Sequence, residues 1–550
     1  MRALALWTCT TLQWILQDMP WNLPALAAAL ICCPAFVQAA AAFKDWPSYN
    51  NTLTSERFST LDAIDAKNVA GLKVLCSFDT GEQTSFQTGL IEVDGALFGT
   101  TEHDTFSIDA NNCKQIWRAH ADFASGDLKV NRGLAWLDGR VFRGTTDGRV
   151  IAYTAKTGKP LWSTVIADPA KGESVPASPI AWNGLVFIGN AGGDNKGVKG
   201  RMYALDAATG RIVWEFYMVP KGPGDAARGP AATGGAPHAA ATWKNAKGIS
   251  ITGGATWTSY SLDPAKGLLY VPGGNPAPDF AKASRDGENL YASSIVVLDA
   301  KTGAYQRHFQ LVKRDFHDWD VSSAPVLFLS RIGHRMLAEA PKDGHLYLID
   351  LNDGRTVYRK PVTTVANVEA PMTVQGTRFC PGSQGGAEWN SAAFDPGDNL
   401  IFTGEVDWCT TVRLAPAASL ANAPPGKPWS GASNGFGQQD DPKGWSGWMT
   451  ASDAATGEMK WQFHAPAPLM GGVTPTAGGL VLFGDMSGNF YAFNAANGKK
   501  LWSTDLGGAI GGGVITYDSG QGQKIAVAAG MTSPIWPTPK VNGKVVILGL

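Results

Sequence analysis

The chain is short of charge of either sign. Its 550 residues hold 46 Lys and Arg against 47 Asp and Glu, a formal net charge of −1, and only 17% of residues are charged. A chain so balanced sets up no field that gathers nucleic acid or an anionic membrane surface. Histidine is scarce, at eight, and no His or Cys pair stands at the spacing of a zinc site. Cys-x-x-Cys-His is missing, which excludes a covalently attached haem. There is no phosphate loop and no dinucleotide glycine motif in a strand–helix–strand setting. An apolar, Ala-rich run covers Leu23 to Ala42, but Asp18, Pro20, Pro24 and Pro34 argue against a spanning helix there. It ends in the small residues Val37-Gln38-Ala39-Ala40. Residues 1–42 are expected to be a secretory leader, cleaved near Ala39 to Ala42, with Met19 an alternative start. The mature chain, 43–550, is expected to be exported and to have no stable membrane span.

Cysteine use fits export. Of seven, Cys9, Cys32 and Cys33 fall in the leader, leaving Cys76, Cys113, Cys380 and Cys409. Four cysteines permit three pairings. The local pairing, Cys76 with Cys113 and Cys380 with Cys409, would contribute roughly 3 kcal/mol per bridge in the chain-entropy model. The plainer alternative is four buried thiols, and an oxidising compartment weighs against it.

What the chain has in abundance is glycine (65), proline (33) and tryptophan (20). Dense turns and many large aromatics point to a repetitive all-β protein, and a repeat is present. An apolar strand runs into Asp-Ala-x-Thr/Asn-Gly, and four residues later usually comes Trp. Copies lie at Asp109–Cys113 with Trp117, Ala155–Gly158 with Trp162, Asp206–Gly210 with Trp214, Asp453–Gly457 with Trp461 and Asn494–Gly498 with Trp502. Degenerate copies carry Arg307 after Asp299–Gly303 and Tyr358 after Asn352–Gly354. Glycine takes positive φ freely, so each copy makes a tight reversal between antiparallel strands. A sheet with two apolar faces must stack on neighbours, and sheets that stack in series close into a ring. Seven copies are visible. An eighth blade shared by the two termini, with Lys544 to Leu548 as closing strand, completes an eight-bladed β-propeller with tryptophan docking. The Trp spacing is 45 from 117 to 162 but 93 from 214 to Arg307 and 103 from Tyr358 to 461. The long intervals carry insertions, which fall on the propeller faces where sites are built.

The informative residues lie in and around those intervals: Asn131-Arg132-Gly133, Gly192-Gly193-Asp194, Gly253-Gly254-Ala255-Thr256-Trp257, Gly274-Asn275-Pro276, His317-Asp318-Trp319-Asp320 and Pro341-Lys342-Asp343. Singly, Asn275 and Asp194 are ordinary turn residues, Trp257 is a core aromatic, and the two acids around Trp319 belong to a solvated turn. Together, Asp194, Asn275 and Asp320 are oxygen ligands suited to a hard cation. Arg132 and Lys342 suit a polyanionic ligand.

In this order the set resembles the quinoprotein alcohol dehydrogenases, eight-bladed propellers that include methanol, ethanol and polyvinyl alcohol dehydrogenases. The resemblance runs from Trp46 to the C-terminus. It implies pyrroloquinoline quinone (PQQ) and a metal ion as cofactors. Trp257 then matches the aromatic floor under the quinone, Asn275 the amide ligand of the metal, and Asp320 the carboxylate that takes the alcohol proton and also binds metal. Lys342 matches the donor to the reactive quinone oxygen, and Arg132 the grip on a cofactor carboxylate. Gln87, Gly192, Gly193, Glu388 and Trp389 fall at cofactor-contact positions. Asp194 stands where Glu is usual, one methylene shorter. Ser322 stands where the lanthanide-using branch has a second Asp, so the resemblance implies Ca²⁺. Ser125-Gly126 replaces an adjacent-cysteine disulfide found above the quinone in many relatives, and a Trp expected on the substrate side is replaced near Met470. Cys380 and Cys409 match a family disulfide in position.

The expected activity is periplasmic oxidation of a primary or secondary alcohol larger than methanol, small or polymeric, with a separate cytochrome c as acceptor. A homodimer stays open. The alternatives are a sugar or polyol dehydrogenase with the same cofactor, and a non-enzymatic propeller scaffold of the outer-membrane assembly kind.

Overall fold

In the computed structural model, residues 44–225, 234–235 and 237–550 are described, and the expected leader lies outside them. The repeat forms the turns its residues dictate. In Asp206–Gly210 the Asp206 carboxylate accepts the amides of Ala208 (3.1 Å) and Thr209 (2.8 Å), and the Gly210 amide donates to Asp206 O at 2.8 Å. Gly210 sits at φ +74°. Asp299 and Asp453 hold the same turn.

The following tryptophan reaches the next copy. Nε1 of Trp117, Trp162, Trp214 and Trp461 donates to the carbonyl of Ala155, Ala207, Ala300 and Ala495, at 2.8, 3.1, 3.0 and 2.8 Å. Each ring lies on that copy's glycine. A Cβ on Gly158, Gly210, Gly303 or Gly498 would sit 2.4, 2.5, 2.7 or 2.6 Å from it. Arg307 and Tyr358, the two substitutes, make the equivalent bonds to Leu351 O (2.8 Å) and Ala454 O (3.3 Å). The docking therefore needs a donor at that position more than it needs an indole.

Among the described residues the larger sheets are seven four-stranded antiparallel ones and one five-stranded one, with three two-stranded sheets and one three-stranded sheet beside them. Successive sheets touch through their innermost strands: 135–137 against 180–182, 261–263 against 326–329, 326–329 against 393–395, 393–395 against 474–476, and 474–476 against 514–518. The last sheet orders 514–518, 523–529 and 544–549 and takes Lys73–Asp79 as its outer strand, antiparallel to Lys544–Gly549. The two ends of the described chain thus share one sheet, as the repeat implies. Both disulfides of the local pairing are formed, Cys76–Cys113 and Cys380–Cys409. No helix among the described residues is long and apolar enough to cross a membrane.

Residues 53–59 lace the inner strands together. Leu262 N, Leu327 N and Phe394 N donate to Leu53 O (2.7 Å), Thr54 O (2.8 Å) and Glu56 O (2.9 Å), and Ser59 N donates to Pro475 O (2.9 Å). Buried Arg57 adds bonds to Val473 O and Val514 O at 2.8 and 3.1 Å.

Strand alternation decides where chemistry gathers. In an antiparallel meander, the second-to-third connections and the links between sheets emerge at one end. The Asp-Ala-x-Thr-Gly turns, third to fourth, emerge at the other. Asp194, Asn275 and Lys342 lie on second-to-third connections. Gln87, Arg132, Trp257, Asp320 and Glu388 lie on links between sheets. Every expected site residue therefore belongs to one face.

Candidate active site and metal centre

The aromatic plate is set by glycines. Thr252–Gly253 pairs antiparallel with Pro276–Ala277, Gly254 N donates to Asn275 O at 3.0 Å, and Gly274 N donates to Ala255 O at 2.8 Å. A Cβ on Gly253 (φ +119°) would lie 2.4 Å from Asn275 O, so the Trp257 and Asn275 loops can dock only with glycine there. A Cβ on Gly192 would strike Gly172 O at 2.1 Å, and one on Gly193 would lie 2.9 Å from Ala255 Cβ. Gly192 thus lets the Asp194 loop pass the turn at Gly172, and Gly193 lets it pass beside the Trp257 loop.

The Arg132 guanidinium lies 4.5 Å from the centre of Trp257 and 5.2 Å from that of Trp389, and Arg132 donates to Trp257 O at 3.3 Å. The guanidinium is thus held between two indoles. Its Nε is buried without a partner, as is Gln87 Oε1 on Ser85–Gly89, the strand that runs parallel to Val130–Gly133. Trp389 is fixed by Nε1 to Gly511 O at 2.8 Å. Lys342 Nζ lies 5.7 Å from the centre of the Trp257 ring.

The acids converge on the same place. Asp320 Oδ2 meets Lys342 Nζ at 2.8 Å, and Asp320 Oδ1 accepts the Asn275 amide at 2.8 Å. Asp318 Oδ2 and Glu388 Oε1 lie 3.9 and 4.0 Å from the same ammonium. Asp194, Asp279 and Asp318 each offer an oxygen, and the three oxygens lie within 4.8 Å of one another. Asn275 Nδ2 donates to Asp279 Oδ1 at 2.9 Å, which leaves its own carbonyl oxygen free of that bond.

Burial raises the carboxyl pKa of Asp194 to about 6, with the Asp320 charge adding to it. Burial and neighbouring acids hold Asp279 and Asp318 well above the usual range. Burial also raises Glu388, to about 7, against the pull of Lys342. At Lys342 burial opposes the ammonium, but Asp318, Asp320 and Glu388 override it and keep the group charged.

Asp279 is a site residue the sequence left unnoticed, because Asn275-Pro276-Ala277-Pro278-Asp279 reads as a surface turn. It is 0% exposed. Asp318 lies in the His317-Asp318-Trp319-Asp320 motif, where the sequence alone assigns it no role. The solvated turn expected around Trp319 is instead buried, with Asp318 and Asp320 5% and 4% exposed. Asp315 explains this, since its carboxylate caps the turn by accepting His317 N and Trp319 N, both at 3.1 Å. Of the expected ligands Asp194, Asn275 and Asp320, the structure gathers Asp194 with Asp279 and Asp318, and engages Asp320 with Lys342.

The donor set fits both implied groups. Three close carboxylates with an unpartnered Asp279 Oδ2 suit a hard cation. An aromatic plate with two buried cations and two orphaned polar atoms suits a planar polyanion. The fold and site define a propeller with one face suited to a planar polyanion and a hard cation.

The comparisons agree. A family model described as the glucose/ethanol/alcohol dehydrogenase β-propeller domain matches residues 46–369, and one described as outer membrane protein assembly factor BamB matches 446–547. The chain is 31% identical over 528 residues to quinohemoprotein alcohol dehydrogenase ADH IIB of Pseudomonas putida, covering 88% of this chain and 73% of that one. It is 30% identical to the lanthanide-dependent methanol dehydrogenase of Methylacidiphilum fumariolicum, covering 88% and 84%. The solved structure of quinohemoprotein alcohol dehydrogenase ADHIIG from Pseudomonas putida superposes with a TM-score of 0.81 at 26% identity, covering 92% and 80%. The chain belongs to the PQQ-dependent alcohol dehydrogenase family and is an alcohol-oxidising enzyme.

Proposed function

We propose that this chain is an eight-bladed periplasmic quinoprotein that oxidises a primary or secondary alcohol larger than methanol, with PQQ and Ca²⁺, and passes electrons to a separate cytochrome c. The observation that carries the reading is the Asp320–Lys342 pair, 2.8 Å apart beside the Trp257 plate.

When bound, the quinone supplies the electrophilic carbonyl that accepts hydride, and the metal polarises it. The chain's residues do the rest. Trp257 bears the flat face of the ring system, and Arg132 grips a carboxylate of the cofactor. Gln87, Gly192, Gly193, Glu388 and Trp389 complete the cradle. Asp320 takes the substrate hydroxyl proton on a carboxylate oxygen. Lys342 presents its ammonium to an oxygen that gains negative charge.

The eight sheets of four or five strands support eight blades. The expected leader and the two disulfides support the periplasm. Ser322, in place of an acid, supports Ca²⁺. Ser125-Gly126 removes a rigid cover. Buried Met470, Met486 and Met531 share an apolar cluster with Trp257, Trp389, Trp408 and Trp536, and thioether side chains repack around larger alcohols more readily than rings do.

The test is dye-linked oxidation by purified apoprotein, with PQQ and Ca²⁺ added separately and together, over a panel of alcohols, polyols and sugars. Turnover should need both additions, and Asp320→Ala should abolish it while quinone stays bound. Full activity in Asp320→Ala overturns the assignment.

A further inference from the structure

We infer that this chain holds its metal with two carboxylates of its own, Asp279 and Asp318, gathered with Asp194 and Asn275, and that the cation binds the protein without the quinone. The inference rests on the proposed quinoprotein reading for the cation's use, but not for its binding.

Asp279 carries the argument. It is 0% exposed, Oδ1 accepts from Asn275 Nδ2 at 2.9 Å, and Oδ2 has no partner. A buried carboxylate oxygen without a partner is costly unless something positive meets it. Among the described residues neither Asp194 nor Asp279 forms an ion pair, and Lys342 reaches Asp318 only at 3.9 Å. Of the three acids within 4.8 Å of one another, Asp194 and Asp279 thus have no ion-pair partner, and Asp318 shares its one ammonium with Asp320 and Glu388; a hard cation of charge two or three supplies what is missing. The donors are all oxygen, which excludes a soft metal.

The loops that carry these acids are tied together in advance. Arg285, 1% exposed, donates to Pro278 O (3.0 Å), Asp279 O (2.7 Å) and Asp315 O (2.9 Å). One guanidinium therefore clamps the Asp279 loop to the turn that presents Asp318. A site held by backbone clamps needs no cofactor to assemble it. Asp320 is already engaged through both oxygens, by Asn275 N and Lys342, and is left for proton transfer.

The experiment uses the full chain freed of metal and quinone, titrated with Tb³⁺ and followed by Trp-sensitised luminescence. Ca²⁺ and La³⁺ serve as competitors, and far-UV circular dichroism checks the fold. One saturable site is expected in wild type. Asp279→Asn and Asp318→Asn should each weaken it at least about tenfold, as loss of a charged ligand does. The competitor that displaces Tb³⁺ at the lower concentration identifies the preferred charge. No saturable signal in quinone-free wild type overturns the inference. So does wild-type affinity in the folded variants, and if Asp279→Asn does not fold, Asp318→Asn decides alone. Quinone binding is followed separately by quenching of tryptophan fluorescence. Metal binding without any quinone binding would sink the dehydrogenase reading and leave the metal site standing.

Discussion

Cys76 stands where other sheets carry the docking tryptophan, and Cys113 stands where the next copy carries its glycine. Cys76 lies opposite Ile547 just past a register shift, as Trp502 lies opposite Ala492 past the equivalent shift. Cys113 has φ +60°, and its amide donates to Asp109 O at 3.0 Å, as Gly210 does to Asp206 O. At the seam of the ring a covalent bond replaces the contact of an indole on glycine. The donor to the alanine carbonyl is kept, because the Tyr517 hydroxyl donates to Ala110 O at 2.7 Å. Replacing both cysteines by serine should cost about 3–4 kcal/mol in the chain-entropy model. In hydrogen exchange, 73–79 and 544–549 should lose protection first. Unchanged protection of those strands would show that hydrogen bonds alone hold the seam.

The glycine under each docking ring gives a second prediction. Gly303 and Gly333 both have positive φ, +71° and +80°, but only at Gly303 would a Cβ meet a ring, Trp214, at 2.7 Å. Gly333→Ala should cost about 1 kcal/mol for backbone strain alone. Gly303→Ala should cost a further 1–3 kcal/mol, approximately, for overpacking. The difference in thermal midpoint between the two variants measures the docking contact itself.

Lys342 faces three acids and the aromatic plate. Lys342→Ala should lower kcat by roughly 10²–10³-fold, the loss typical of a charge-stabilising donor, with a smaller change in KM. It should also destabilise the apoprotein, since Asp318, Asp320 and Glu388 lose the ammonium within 4.0 Å of each. Steady-state kinetics and calorimetry on one preparation test both effects.

Arg132 has a different task. Arg132→Met keeps much of the packing between Trp257 and Trp389 but removes the charge. It should weaken quinone retention with the metal still bound, as equilibrium dialysis against PQQ would show.

Two further buried acids, Glu92 and Glu339, set a pH dependence of stability. Burial raises Glu339 to about 8, and burial with the Asp45 charge raises Glu92 to about 8. Between the ordinary carboxyl pKa near 4.5 and about 8, the folded chain holds these protons and the unfolded chain releases them. Their contribution to stability is therefore fully present below about pH 4.5 and falls as pH rises through 8. Glu339→Gln should flatten the fall in thermal midpoint between about pH 5 and 8, the window between the unfolded and the folded pKa. An unchanged slope would mean Glu339 titrates normally.

The sequence by itself determined the ring. Its turn glycines, tryptophan spacing and terminal strands are local or periodic signals, and each acts through backbone preference or the need to bury an aromatic face. The order of Arg132, Trp257, Asn275, Asp320 and Lys342 was legible for the same reason, since each sits in its own short motif. Tertiary structure alone decided how the acids are shared. Asp279 lies in a Gly/Pro-rich stretch that looks like any turn, and only the Arg285 clamp on Pro278, Asp279 and Asp315 buries it beside Asp194 and Asp318. The seam bond is another such case, because nothing local to Cys76 or Cys113 says that one takes the place of a tryptophan and the other of a glycine. That equivalence exists only once the strands are in register, since contacts between sheets depend on the closure of the ring and not on neighbours in the chain.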